Sequence, residues 1–444
     1  MTASSLVNLF RVPELRQKIL TTLGLLFVYR IGFQVPLPGV DARILQELAE
    51  KSGGNPIFGV INMLTGSRLE GCVLFSLGVM PYISASIIFS LLAKVLPSLE
   101  AISKEGAAGQ RKINQYTRYA TIPICILQSF FVISTTLRQV VPGGVGIGYA
   151  LVAMVAMTAG TIFIMWLGEQ ITEYGVGNGI SLIILAGIIS DMPSMISLFF
   201  ERVGVSPDEK IKSFLLFLLA WAITVVVIVY ITKATRRIPI QQAKLTRGRR
   251  VYGGQRHFLP IKVNAAGVMP IIFASALLVV PGLIGNLLKN YIPFFQGLAD
   301  AFSGGRGWWY WVFYCALIFF FSYFWNSLMF QPKEIANNLK EYGSFIPGYR
   351  PGTRTAEFLE GVMTRLTLAG AAFLAGIAYL PSLVTSTIDI DFRLAIFMGG
   401  TSVLIVVGVA LDMVDKVNAL LVMRNYDGFL KGDTGAAGWG RRRM

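Results

Sequence analysis

The residues able to ligate a metal, attack a carbonyl or move a proton are few and far apart in this chain. There is one histidine, His257, and it lies in a basic stretch with no Cys or second His near enough to complete a metal site. It reads as a solvated loop residue. Three cysteines, Cys72, Cys125 and Cys315, sit in or beside apolar runs without ligand spacing, and read as packing residues rather than disulfide or catalytic groups. Arg30, Glu169, Glu173, Asp412 and Asp415 fall near the ends of apolar runs, where snorkelling and helix-end pairing suit them better than a proton relay. No Walker loop, zinc signature or nucleophile elbow is present. The glycine runs "PGGVGIGY" (142–149) and "YGVGNGIS" (174–181) lack the strand–helix setting of a phosphate cradle and read as tight turns. These absences disfavour a membrane-embedded enzyme, which needs paired catalytic groups. They also disfavour an ion-coupled carrier of small molecules, which needs acids, His or unwound carbonyls at mid-membrane. No cofactor and no metal is expected.

One cluster does carry chemistry. "KATRRIPIQQAKLTRGRRVYGGQRHFLPIKVN" (233–264) holds nine Lys or Arg and no acid, between two strongly apolar runs. Guanidinium groups in such number suit phosphate. A basic loop is also a topology signal and an attractor of anionic lipid. Topology alone does not require Arg236, Arg237, Lys244, Arg247, Arg249 and Arg250 spread along so long a loop.

The elements that must position this arm follow from composition. The 444 residues are 54% hydrophobic and only 14% charged, and apolar runs near the length that crosses a bilayer as a helix recur throughout. The fold class expected is an all-α polytopic membrane protein. Ten transmembrane helices are read at about 18–35, 74–96, 116–138, 149–170, 179–201, 213–232, 264–285, 309–330, 360–381 and 394–414. With a cytoplasmic N-terminus, roughly 28 of the Lys and Arg fall on the cytoplasmic side and about ten outside, so both termini are expected in the cytoplasm. No cleavable signal and no transit peptide is evident, which favours a bacterial plasma (inner) membrane. The expected organisation is an N-terminal half over 1–200 and a C-terminal half over 201–430, the latter carrying basic cytoplasmic loops 233–263 and 331–359. A basic tail over 431–444 follows. Five spans per half means opposite insertion, as in inverted repeats. "PIFGVINMLTGSRLEGC" (56–72) is too short and polar to span, and reads as interfacial or re-entrant. Pro81, Pro123 and Pro270 are expected as breaks or kinks within spans.

Seven stretches then act together: "SLGVMPYISASIIFSLL" (76–92), "KINQYTRYAT" (112–121), "MWLGEQITEYGVGNGIS" (165–181), "GRRVYGG" with "LPIKVNAAGVMPIIFASA" (248–276), "NNLKEYGSFIPGYRPG" (337–352), "MTRLTLAG" (363–370) and "GGTSVLIVV" (399–407). In order and spacing, from about residue 10 to 430, the chain resembles the SecY family, the pore subunits of the bacterial general protein-translocation channel.

The resemblance implies a clam shell of two pseudo-symmetric five-helix halves around a pore, narrowed by a ring of aliphatic side chains. By motif position the ring falls on Val79, Ile83, Ile180, Ile184, Ile272 and Ile405. Such a ring offers a moving chain no fixed polar partner, and a narrow apolar waist excludes ions. The segment at about 57–71 takes the place of the plug, a short re-entrant helix, with Asn62, Met63, Leu64, Thr65, Gly66, Ser67, Arg68 and Leu69 at its centre. Here "TGSRLEGC" departs from the family's usual double glycine followed by Ser-Arg. A lateral gate is implied with polar positions at Ser90, Gln128 and Asn264, Ser90 standing where relatives often carry a longer amide. The basic loops, including Arg350 in "GYRPG", are implied to dock the ribosome through its rRNA phosphates or the motor ATPase SecA. Further implied partners are the small subunits SecE and SecG, signal peptides and nascent polypeptides, YidC and SecDF, and anionic lipids.

Overall fold

The structure, a computed structural model, describes residues 13–37, 73–133, 146–202, 207–242, 245–247, 250–252, 256–275, 277–278, 308–388 and 401–436. The architecture is mostly helical. The helices are α1 (Pro13–Gly32), α2 (Met80–Val95), α3 (Pro97–Lys104), α4 (Ala107–Val132), α5 (Ile147–Tyr174), α6 (Gly179–Arg202) and α7 (Pro207–Lys233). After a β-sheet region come α8 (269–275), α9 (Trp308–Met329), α10 (Pro332–Glu341), α11 (Thr353–Ile388) and α12 (Thr401–Ala436). Helix is present inside each of the expected apolar runs. Among the described residues, α5, α9 and α11 are long and apolar enough to cross a bilayer by length and composition.

Two expectations about the helices are corrected. The second run was expected to be helical from residue 74, but 74–79 are turns and α2 starts at Met80. Pro81 therefore lies in the first turn of α2, where its missing N–H has no intrahelical partner to lose. It starts a helix instead of kinking one. Pro270 likewise is the second residue of α8, whereas Pro123 is inside α4 as expected. Leu96 between α2 and α3 is extended, the conformation that a following proline imposes.

The basic arm is corrected too. Instead of a loop, it forms strands β1 (Thr235–Gln242), β2 (Leu245–Arg247), β3 (Arg250–Tyr252) and β4 (Arg256–Lys262), and β5 (Ser344–Phe345) joins from the second basic loop. One sheet has the order β4-β1-β5, antiparallel, with Ile238 opposite Leu259 and Gln241 opposite Phe345; β2 and β3 form a separate hairpin. Pro239 is tolerated in β1 because β5 pairs only with Gln241 and Gln242, leaving one edge of β1 open at the proline.

The described residues pack as two units. The first holds α1 to α5, α6 as far as Ser190, and α12 from Val409; the second holds the rest of the described chain from Asp191 to Gly408. In the first unit, Tyr29 of α1 and Phe33 in the turn just after it pack on Phe75, which stacks on Phe163 of α5. Gly160 lets α5 close on the turn before α2: a Cβ there would run into the Leu74 carbonyl oxygen. In the second unit, Ile238, Ile261, Ile346, Leu359, Val362 and Met363 form a core that joins the sheet to α11.

Candidate pore ring and cytoplasmic docking face

The ring positions in the first unit come in two pairs, each four residues apart on a helix start, so each pair lies on one helical face. Gly78, with φ of +54°, turns the chain into α2. Val79 caps that helix, and its carbonyl accepts the Ile83 N–H at 3.0 Å. Both side chains are buried, Val79 at 1% exposure and Ile83 at 9%. Ile180 and Ile184 open α6. Their start is fixed by side-chain oxygens: Asn178 Oδ1 accepts from the N–H groups of Ile180 (3.1 Å) and Ser181 (3.3 Å), and Thr172 Oγ1 accepts from Gly179 N–H at 2.8 Å. Gly177 supplies the positive φ of +96° that the turn requires. Ile184 is buried, whereas Ile180 is half-buried beside α5, where its Cγ1 lies 3.0 Å from an ideal Cβ placed on Gly168.

A buried latch from α1 holds the same turn. Thr22 Oγ1 accepts from Val176 N–H at 3.1 Å while donating to the Lys18 carbonyl at 2.9 Å. Leu15, Val176 and Val417 form a small core beneath it, with Ile19, Met413, Leu420 and Leu421 packed around. The first helix, the turn after α5 and the last helix are thereby held together, and the turn sets where α6 begins.

In the second unit, the turn 263–268 continues the sheet. Val263 N–H donates to the Ala234 carbonyl at 3.0 Å, and Asn264 Nδ2 donates to the Gly267 carbonyl at 3.1 Å. This turn lies against two helices: a Cβ on Gly370 of α11 would meet the Val263 carbonyl oxygen at 2.8 Å, and one on Gly408 of α12 would meet Val268 Cγ2 at 3.4 Å. Ile272 on α8 and Ile405 on α12 are both buried. Five of the six ring residues are thus buried aliphatics.

Of the gate positions, Asn264 is buried in the turn just described. Ser90 is half-buried on α2 and donates back to the Ser86 carbonyl at 2.7 Å. Gln128 is half-buried on α4, the helix that α2 packs along, with Phe89 stacked on Tyr116 between them. The plug residues Asn62 to Leu69 lie outside the described residues.

The basic cluster is partly in view. Arg236 and Arg237 are exposed on β1. Arg247 and Arg250 face each other in the backbone register of the β2–β3 hairpin. Lys244 and Arg249 lie outside the described residues. Arg350 is exposed just before α11, its carbonyl accepting the Thr355 hydroxyl at 2.9 Å, with Tyr349 stacked on Phe358 at 4.2 Å. The β1–β5 pairing joins the two basic loops through one sheet.

Sequence reasoning missed several polar contacts between elements. Arg118 Nε on α4 pairs with Glu169 Oε1 on α5 at 2.6 Å. Asn326 Nδ2 on α9 donates to Thr367 Oγ1 on α11. Glu169 was expected to pair at a helix end, but no spacing in the sequence pointed to Arg118. No group of three or more potential metal ligands occurs among the described residues.

The SecY family model matches residues 73–414. The protein translocase subunit SecY of Thermotoga maritima is 42% identical over 433 residues, covering 96% of this chain and 97% of that one. Its counterpart from Escherichia coli is 41% identical over 449 residues, covering 96% of each. Among solved structures, one described as "The structure of a protein conducting channel" superposes with a TM-score of 0.60 at 21% identity, covering 91% of this chain and 92% of the other. Sec61 in a canine ribosome–channel complex from the endoplasmic reticulum superposes with a TM-score of 0.57 at 20% identity, again over 91% and 92%. The solved structures share the fold; the sequence relatives align over nearly the whole chain at more than 40% identity, and on that ground the chain belongs to the SecY family.

Proposed function

We propose that this chain is the central pore-forming subunit of a Sec protein-conducting channel. It passes unfolded secretory polypeptides across a bacterial plasma membrane and releases signal sequences and transmembrane segments sideways into lipid. The observation that carries the reading is the near full-length identity above 40% to protein translocase subunits. The chain is a membrane protein that conducts polymers and performs no covalent chemistry.

Ten spans in two pseudo-symmetric halves of five, with both termini cytoplasmic, enclose a waist lined by Val79, Ile83, Ile180, Ile184, Ile272 and Ile405. Aliphatic groups give a passing chain no charge or hydrogen bond to hold, and they leave a small ion in the waist unsolvated. Asn62 to Leu69 plug the external side at rest. Ser90, Gln128 and Asn264 line a lateral seam that opens when an apolar signal core partitions into lipid. SecE and SecG complete the complex, SecA or the translating ribosome drives it from the basic face, YidC and SecDF act beside it, and anionic lipids surround it.

The test is reconstitution of the chain with SecE, SecA and ATP in vesicles. Protease protection of a signal-bearing precursor is the expected result. Absence of protection with active SecA and intact chain would overturn the reading.

A further inference from the structure

We propose that the solvent face of the β4-β1-β5 sheet is a stacking platform for an unpaired base of structured RNA, with Phe258 beneath the base. The proposal rests on the docking reading above and adds a base contact to the phosphate contacts.

In an antiparallel ladder, residues opposite each other share a face. The register places Thr235 opposite Lys262, Arg237 opposite Pro260, Pro239 opposite Phe258, and Gln241 opposite both Arg256 and Phe345. The alternate residues Ile238, Ile240 and Ile261 are buried, so this set faces out. Phe258 is 58% exposed there. The prolines beside it, Pro239 and Pro260, are exposed as well, and add rigid apolar surface with no N–H to hydrate. Arg237 and Lys262 are exposed on the same face, and none of the positions of that face is an acid.

A ligand that satisfies this face carries negative charge for the cations and a flat π surface for the ring. Unpaired nucleotides carry both, and exposed aromatics on a sheet are a common way of seating them. An amphipathic protein helix would instead call for a groove with several apolar anchors at helical spacing. Here the exposed ring of Phe258 stands beside two prolines, with half-buried Phe345 the other aromatic of the face, on a flat sheet and not in a groove.

The experiment uses the full-length chain in its membrane complex, embedded in nanodiscs, and two single-stranded RNAs of equal length. One carries adenine at every position and the other is abasic throughout, so both present the same phosphates. Anisotropy titration is expected to show the base-bearing RNA bound about five- to tenfold more tightly. F258A should remove that preference while leaving the abasic affinity unchanged, F258W should keep it, and R237E should weaken both RNAs alike. Equal wild-type affinities for the two RNAs, or a preference that survives F258A, would overturn the proposal. So would an F258A variant that loses SecA binding yet keeps the preference, since the face would then be a protein site. The docking reading fails separately, if R350E and R249E complexes cosediment with ribosomes as the wild type does.

Discussion

Thr22→Val tests how α1 controls the start of α6. The threonine is 4% exposed, and its Oγ1 is the acceptor for Val176 N–H in the turn between α5 and α6. Valine keeps the shape of the side chain and removes only the oxygen. The Val176 N–H is then left buried without a partner, at a cost of about 1–3 kcal/mol. The bond from Thr22 to the Lys18 carbonyl is also lost, but that carbonyl belongs to a helix and the loss is minor. For a unit of 150–250 residues, each kcal/mol corresponds to about 2–4 °C in Tm, so the variant should melt roughly 2–12 °C lower. Thr22→Ser keeps the oxygen and should stay within about 2 °C of wild type. The assay is thermal unfolding of the complex in nanodiscs, followed by intrinsic tryptophan fluorescence. Because the turn sets where Ile180 and Ile184 begin their helix, T22V should also raise resting ion leak through reconstituted vesicles. A T22V protein that melts and seals like wild type would refute the latch. So would T22S falling as far as T22V.

Other outcomes follow from the same geometry. Adding apolar bulk at Asn264, as in N264L, removes the donor to the Gly267 carbonyl and should shift signal-sequence crosslinking at the gate; unchanged crosslinking and translocation would remove Asn264 from the seam. Charge reversal at Arg249, Arg250 or Arg350 should impair ribosome and SecA docking, measured by cosedimentation, while membrane insertion measured by alkali extraction stays normal. Gly160→Val drives a side chain into the Leu74 carbonyl and the Phe75 ring, so the accumulated level of intact protein should fall several-fold, judged by pulse–chase.

The helices were legible in the sequence because long apolar runs allow few other structures in a membrane. The ring positions were legible only through motif resemblance. An isoleucine in such a helix looks the same whether it faces a pore, a neighbour or lipid. Pro81 was misread because the apolar run continues upstream through "SLGV", which hides the turn at Gly78; glycine followed by proline was the available sign of a helix start. The sheet was missed for a different reason. Its period-2 pattern, Arg237-Ile238-Pro239-Ile240 against His257-Phe258-Leu259-Pro260, was masked by charge and by prolines that ordinarily demote a strand. β5 has two residues and no signal of its own; it forms because β1 offers an open edge. The Arg118–Glu169 pair and the Asn326–Thr367 bond join residues distant in sequence, so they emerge only once the helices pack. The plug centre lies outside the described residues and remains an expectation carried by the resemblance.

The central claim is that a collar of aliphatic side chains seals the resting channel while letting a polypeptide slide. Ion conductance of the reconstituted complex in planar bilayers tests it most directly, comparing wild type with I83N, I184N and I405N and with the conservative I83V, I184V and I405V. The account predicts silent membranes for wild type and the valine variants, and steady resting conductance once asparagine hydrates the waist. Asparagine variants as silent as wild type, with translocation of precursor unchanged, would contradict it.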